Sequence, residues 1–248
     1  MSHPLAEFLG TMLLVLLGDG VVANVLLEKS KGQNSGWIVI TAGWAFAVFI
    51  AVAVVGRISG GHLNPAVTIA LATTGAFPWA SVPGYIVAQM AGAFVGAALV
   101  WIMYYPHWAG TPSGELKRAI FCTAPAIRNA PANFTAEVIG TFVLLFGVLA
   151  FPKGAFVTPP TGSVMMVDLG AFGALPVALL VWAIGLSLGG PTGYAINPAR
   201  DLGPRLAHFV LPIPGKADSD WGYAWIPVVG PIVGGVLAAI LYMALGKY

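Results

Sequence analysis

Two copies of Asn-Pro-Ala stand in an otherwise apolar chain, and chemistry can be argued from them first. One lies in Ser59-Gly60-Gly61-His62-Leu63-Asn64-Pro65-Ala66-Val67-Thr68. The other, 133 residues later, lies in Thr192-Gly193-Tyr194-Ala195-Ile196-Asn197-Pro198-Ala199-Arg200-Asp201. Asn at an N-cap followed by Pro is a helix-start signal, because Pro lacks only an N–H that the first helical turn cannot use. Each segment is therefore predicted to run extended through its glycines and then turn into a short helix. The positive end of such a helix and the Asn amide both donate hydrogen bonds and repel cations. That chemistry orders neutral molecules; it does not break bonds. A single copy could merely cap a buried helix, but two copies at matching positions argue for a shared purpose.

Other chemistries find little support. Glu7 and Glu137 lie well inside apolar stretches, where carboxylates are functional candidates by default. A proton relay is one role for them. The favoured one is structural, each accepting hydrogen bonds from the backbone of a broken half-helix. Asp19 has no matching acid in the second half of the chain; it is expected at a solvated or loop-bonded position and is assigned no role. No catalytic residue is identified, since no Ser-His-Asp motif is present. Four His and the single Cys122 offer no metal-ligand spacing, so neither a metal nor a cofactor is expected. Net charge is +2 without a basic run, which argues against nucleic acid as a partner.

The elements that must position these residues are membrane spans. Only 8% of the 248 residues are charged, 58% are apolar, and mean hydropathy is +0.87. A soluble domain carries about 25% charge, so a polytopic membrane protein is indicated. No cleavable signal peptide is evident, because the first stretch lacks a positive leader and is too long. Apolar stretches at about 4–27, 36–56, 81–104, 134–152, 166–188 and 222–245 are each long enough to cross a bilayer of roughly 30 Å as a helix. Ile58 to Gly75 and Gly189 to His208 are too short, and they hold the Asn-Pro-Ala segments.

The repetition extends further. Ala6-Glu7-Phe8-Leu9-Gly10-Thr11 matches Ala136-Glu137-Val138-Ile139-Gly140-Thr141, and Gln89-Met90-Ala91-Gly92 aligns with Pro231-Ile232-Val233-Gly234. Residues 1–248 thus read as one channel domain made of internal repeats at about 4–104 and 134–245. Three spans is an odd number, so the second repeat must be inverted in the membrane. The two short segments then enter from opposite faces, and irregular backbone at that depth is tolerable where it lines a polar cavity. The fold class is all-α membrane protein, with six transmembrane helices plus two re-entrant half-helices.

Taken together, the paired Asn-Pro-Ala segments, the AEFLGT and AEVIGT openings and GGHLNPAVT resemble the aquaporin (major intrinsic protein) family over essentially the whole chain. The resemblance implies a passive facilitator without cofactor, a homotetramer with a pore in each subunit, and a multi-pass protein of the cell membrane, in the plasma or inner membrane. It implies pore-lining carbonyls at Gly60, Gly61, His62, Leu63, Gly193, Tyr194, Ala195 and Ile196, with support for the half-helices from Glu7 and Glu137. It also maps the family's narrowest ring onto Trp44, Gly185, Tyr194 and Arg200. Water-selective members generally carry His at the Gly185 position, so the ring is expected to open on that side. Indole, phenol and guanidinium make it two-sided, suited to an alkyl backbone bearing hydroxyls.

Asp201, Arg205, Pro227 and Val228 match the glycerol-conducting branch, and Asp201 with Arg205 at i,i+4 can form a helix salt bridge. Tyr194 departs from the Phe usual in glycerol facilitators, which leaves the preferred solute open. The expected partners are glycerol, water, small neutral solutes and the lipid bilayer. The alternatives are a water-selective aquaporin and a proton-coupled secondary transporter. Family resemblance places both termini in the cytoplasm, against the charge rule: with that orientation Arg57, Lys153 and Lys247 lie inside, while Lys29, Lys31, Lys117, Arg118, Arg128, Lys216 and the half-helix arginines Arg200 and Arg205 lie outside.

Overall fold

A computed structural model describes residues 1–151, 155–157, 165–167 and 169–246. Six of its helical segments are long and apolar enough to cross a membrane: His3–Leu26 (α1), Trp37–Ser59 (α2), Val82–Met103 (α4) after a turn of 3-10 helix at Trp79–Ser81, Ala130–Ala150 (α7), Leu175–Ser187 (α8) after a 3-10 segment at Gly170–Ala174, and Ile226–Ala244 (α10). The two short helices are α3, Pro65–Thr73, and α9, Pro198–Val210.

Local chemistry accounts for the helix starts. Ser2 and Asn129 cap α1 and α7 by accepting from Leu5 N–H and Ala132 N–H, and Pro occupies the first turn of both. Asn64 and Asn197 do the same for α3 and α9, with Pro65 and Pro198 next in line. Three boundaries differ from the hydropathy reading. Helix α7 begins at Ala130 because the Asn129-Ala130-Pro131 cap precedes the apolar run. Helix α8 begins at Leu175, preceding Pro176, since Met165–Val167 instead pairs antiparallel with Ala155–Val157 as a short ribbon, β1 with β2. Helix α10 begins at Ile226, as residues 221–225 form turns ahead of Pro227. Two further helices, Tyr105–Gly110 (α5) and Gly114–Phe121 (α6), occupy the connection before α7.

Packing crosses the two halves of the chain. Helix α1 lies against α4 and α2, and α7 lies against α10, whereas half-helix α3 packs on α10 and half-helix α9 on α4. Glycine sets the closest approaches. A Cβ at Gly92 would stand 2.2 Å from the Phe8 carbonyl oxygen, and one at Gly234 would stand 2.3 Å from the Val138 carbonyl oxygen, so α1 touches α4, and α7 touches α10, backbone to backbone. Such small-residue contacts are how helices associate without an aqueous hydrophobic drive.

Candidate functional site

The N-terminal ends of α3 and α9 meet and bond to each other. Asn64 Nδ2 donates to the Ile196 carbonyl at 2.8 Å, and Asn197 Nδ2 donates to the Leu63 carbonyl at 2.8 Å. Each Asn Oδ1 meanwhile accepts from its own helix, from Ala66 N–H and from Ala199 and Arg200 N–H. An amide nitrogen has two hydrogens, so each Asn keeps one donor beyond this bridge. Pro65, Ala66, Pro198 and Ala199 are buried behind the junction and form the first turns of the half-helices.

The residues before each Asn are not uniformly extended. Gly60, Gly61, Leu63, Gly193, Tyr194 and Ile196 have left-handed backbones, with φ of 88°, 62°, 52°, 78°, 37° and 44°. Three of these are not glycine, and a left-handed φ costs such residues roughly 1–3 kcal/mol. The two glutamates counter that cost. Glu7 accepts from Ser59 Oγ (2.6 Å), His62 N–H (3.0 Å), Leu63 N–H (2.7 Å) and Gln89 Nε2 (2.8 Å). Glu137 accepts from Thr192 Oγ1 (2.7 Å), Ala195 N–H (3.0 Å) and Ile196 N–H (2.9 Å). Both carboxyls are buried. With the backbone N–H groups held by the glutamates, the carbonyls of the same segments are left to face elsewhere.

The two segments border a cavity of about 160 Å³, with Gly60, Gly61, His62, Leu63 and Asn64 lining it from one and Tyr194, Ala195, Ile196 and Asn197 from the other. Gly193 is not among the lining residues. The Leu63 and Ile196 carbonyls already accept one bond each from the Asn bridge. The remaining wall is aliphatic, contributed by Leu14, Val48, Val52, Val67, Leu71, Leu144, Val148, Val177 and Val181. Such a space offers hydrogen bonds along one side only.

Trp44, Tyr194 and Arg200 also line it, with the Arg200 guanidinium 4.0 Å above the Trp44 ring centroid. Gly185 does not, and the ring is not open on its side. A Cβ at Gly185 would fall 2.9 Å from Tyr194 Cζ, and one at Gly189 would fall 2.5 Å from Tyr194 Cδ1, so the phenol lies in the space that these glycines vacate. Trp37 meets Tyr194 edge-on at 5.8 Å and donates from Nε1 to the Gly185 carbonyl at 3.0 Å, fixing both. Tyr194 Oη is buried and has no partner among the described residues.

Asp201 and Arg205 form a fully buried pair on α9, with Arg205 Nε 2.8 Å from Asp201 Oδ1 and Nη2 2.9 Å from Oδ2. It fastens two loops. Asp201 Oδ2 accepts from Thr123 N–H and Oγ1, while Arg205 donates to the carbonyls of Thr123, Ser219 and Asp220. Sequence reasoning placed the pair but not these partners. Around the same loops, Lys117 Nζ donates to the Pro214 carbonyl and Lys216 Nζ to those of His208, Phe209 and Leu211. Arg128 pairs with Asp220, a hydrogen-bonded contact that holds the guanidinium above its ordinary pKa. Pro227 and Val228 stand in the first turn of α10, away from the cavity. Lys153 and Lys247, part of the charge count for orientation, lie outside the described residues. Asp19, expected at a solvated place, is instead wholly buried.

Comparison with known proteins agrees with this architecture. The profile of the major intrinsic protein family matches residues 1–242. A probable glycerol uptake facilitator protein of Thermotoga maritima is 62% identical over 242 residues, covering 98% of both chains. Glycerol uptake facilitator protein 3 of Lactiplantibacillus plantarum is 54% identical over 250 residues, covering 99% of both. Among solved structures, the aquaglyceroporin from Plasmodium falciparum superposes with a TM-score of 0.81 at 31% identity, over 97% of this chain and 94% of that one.

Proposed function

The chain belongs to the major intrinsic protein family, and from that premise we propose that it is a passive channel for glycerol, water and other small neutral solutes that excludes ions and protons. It is a multi-pass integral protein of the cell membrane and not an enzyme. The observation that carries the solute reading is the cavity's lining, the two Asn-Pro-Ala segments together with a wall of aliphatic side chains; on this reading the segments' carbonyls and Asn amides supply the hydrogen bonds on one side. A polyol has that same division between hydroxyl edge and carbon edge. An ion would lose several kcal/mol or more of hydration there without adequate replacement, and Arg200 with two half-helix N-termini adds a positive barrier to cations.

The finer assignments support one another. Trp44, Tyr194 and Arg200 form the filter, with Gly185 as the floor under Tyr194. Asn64 and Asn197 hold the junction, Glu7 and Glu137 support it, and Asp201 with Arg205 holds the mouth above it. The chain is one channel domain of two inverted repeats, assembles in the bilayer as a homotetramer, and keeps both termini in the cytoplasm, so that the Trp44–Arg200 end is the outer one. Vesicles containing the purified protein should shrink in a glycerol gradient and then reswell, at a rate linear in concentration and indifferent to a protonophore. Reswelling that saturates and collapses with the protonophore would select a coupled transporter, and water passage without reswelling would select a water-only channel.

A further inference from the structure

His62 brings an imidazole to the half of the cavity opposite Arg200, and the protons around it decide which of its nitrogens is free. Nδ1 lies 3.1 Å from Thr68 Oγ1. That oxygen also accepts from Gln89 Nε2 at 3.0 Å and stands 3.1 Å from the Asn64 carbonyl. A hydroxyl has one proton and two lone pairs. With the proton given to Asn64, and with Gln89 and His62 both donating, all three contacts are hydrogen bonds. With the proton given to His62 instead, Oγ1 and the Asn64 carbonyl become two acceptors 3.1 Å apart. The Gln89 amide is held in its present sense, because Nε2 also donates to Glu7 Oε2 at 2.8 Å. The imidazole therefore carries its proton on Nδ1.

In the neutral ring Nε2 is then a bare acceptor. It meets no partner among the described residues and, unlike His208 Nε2, it is not sealed inside the protein. Its opening lies beside Gly60, where a Cβ would stand 3.4 Å from both His62 Cδ2 and Nε2, and Gly60 itself lines the cavity. Phe77 and Tyr85 wedge the ring, with centroids at 4.7 and 4.9 Å, so the lone pair keeps one direction. The other repeat has no counterpart, since Ala195 stands at the equivalent place. Around His62, Val52, Val67 and Val177 contribute only aliphatic surface.

We propose that His62 is a specificity-determining residue of the channel, its Nε2 accepting a hydroxyl proton from a polyol in the half of the cavity that otherwise offers backbone acceptors alone. The proposal rests on the channel reading above. A polyol passing the valines must keep several hydroxyls bonded at once, whereas a water molecule in file bonds to its neighbours. Loss of this one acceptor therefore slows glycerol more than water.

The test is the glycerol-to-water flux ratio in vesicles reconstituted with the full chain. The wild-type trace examines the channel itself, and the difference between variant and wild type examines His62. His62→Asn keeps a donor for Thr68 without the ring, and His62→Phe keeps the ring without the donor; the loss they share is Nε2. Each should lower the ratio about threefold or more, with water flux within about twofold of wild type, as fits one neutral hydrogen bond. His62→Gln, whose terminal amide reaches the Nε2 position, should hold the ratio within about twofold of wild type. A wild-type ratio in either acceptor-free variant overturns the proposal, as does an equal loss in His62→Gln. If only one acceptor-free variant folds, it is read by itself; if neither folds, the imidazole belongs to folding and the selective role is overturned. Nitrogen-15 spectra of the histidine-labelled wild type should show His62 protonated at Nδ1 and bare at Nε2, and a protonated Nε2 overturns the proposal independently of flux.

Discussion

The outer and inner halves of the cavity differ most at positions that the repeat makes equivalent. Shifted by 133 residues, Trp44 corresponds to Val177, Gly185 to Val52, Tyr194 to Gly61 and Arg200 to Val67, and all four inner residues line the cavity. The contact between loop and helix persists with volumes exchanged. At the outer end the loop's Tyr194 covers the helix's Gly185; at the inner end the helix's Val52 lies 3.4 Å from where a Cβ of Gly61 would stand. One scaffold therefore carries a polar, aromatic ring at one end and a valine cuff without a side-chain donor at the other. On the proposed reading, selection is concentrated at the Trp44–Arg200 end, and the other half supplies carbonyls and width.

The supports differ in the same way. Thr68 and Asp201 are equivalent by the same shift. Thr68 Oγ1 meets His62 Nδ1 at 3.1 Å and Gln89 Nε2 at 3.0 Å, a neutral cluster. Asp201 instead holds Arg205 and Thr123, an ionic one. Breaking each should measure the contrast. Arg205→Met leaves Asp201 buried and unpaired, and should cost about 3–5 kcal/mol of stability. Thr68→Val should cost only about 1–2 kcal/mol, the net worth of neutral hydrogen bonds and an orphaned partner. Thermal unfolding of the detergent-solubilised protein ranks the two, and equal losses would remove the distinction.

The glutamates are where the halves are most alike. Glu7→Gln and Glu137→Gln each turn an acceptor into a donor facing backbone N–H groups, at about 1.5–3 kcal/mol per charge-assisted bond lost. Glu7 has the additional donor Gln89 Nε2, so its variant should unfold at the lower temperature. Flux through whatever folds should persist without new pH dependence; a folded variant with abolished flux would favour a proton-relay role.

A smaller effect, on selectivity alone, is expected when the outer ring is given the inner ring's residue. Arg200→Val removes a charged donor, worth about 1.5–3 kcal/mol to an acceptor it serves. That corresponds to a loss of roughly tenfold or more in discrimination between glycerol and larger polyols, read from their relative reswelling rates. Unchanged discrimination would locate selection elsewhere in the cavity.

Much of this contrast is legible in the residues because it rests on local signals. Hydropathy runs mark the spans, Asn-Pro marks the half-helix starts, and equivalent glutamates mark the supports. Burial and tertiary contact were less accessible. Asp19 reads as a solvated acid because nothing local announces that the helices packed on α1 bury it. Gly185 reads as an opening because a missing side chain does not say which neighbour will fill the space. Helix α6 did carry a signal, Ser113 accepting from Leu116 N–H with Glu115 in the first turn, but it is short and polar and hydropathy passes over it.

The smallest change sharpens the comparison most finely. Tyr194→Phe keeps the ring that fills the space over Gly185 and Gly189 and removes only a hydroxyl without a protein partner. Because no bond is broken, unfolding temperature should stay the same or rise slightly. The hydroxyl is nevertheless buried in the ring beside Arg200, so its loss acts on solutes through the space and polarity behind the wall. Solutes should then be re-ranked by less than about tenfold, equivalent to about 1.4 kcal/mol, with the largest change for those bearing a further oxygen beyond glycerol's pattern. A fall in stability instead would mean that Tyr194 Oη is bonded in the assembled protein and that the ring selects chiefly by width.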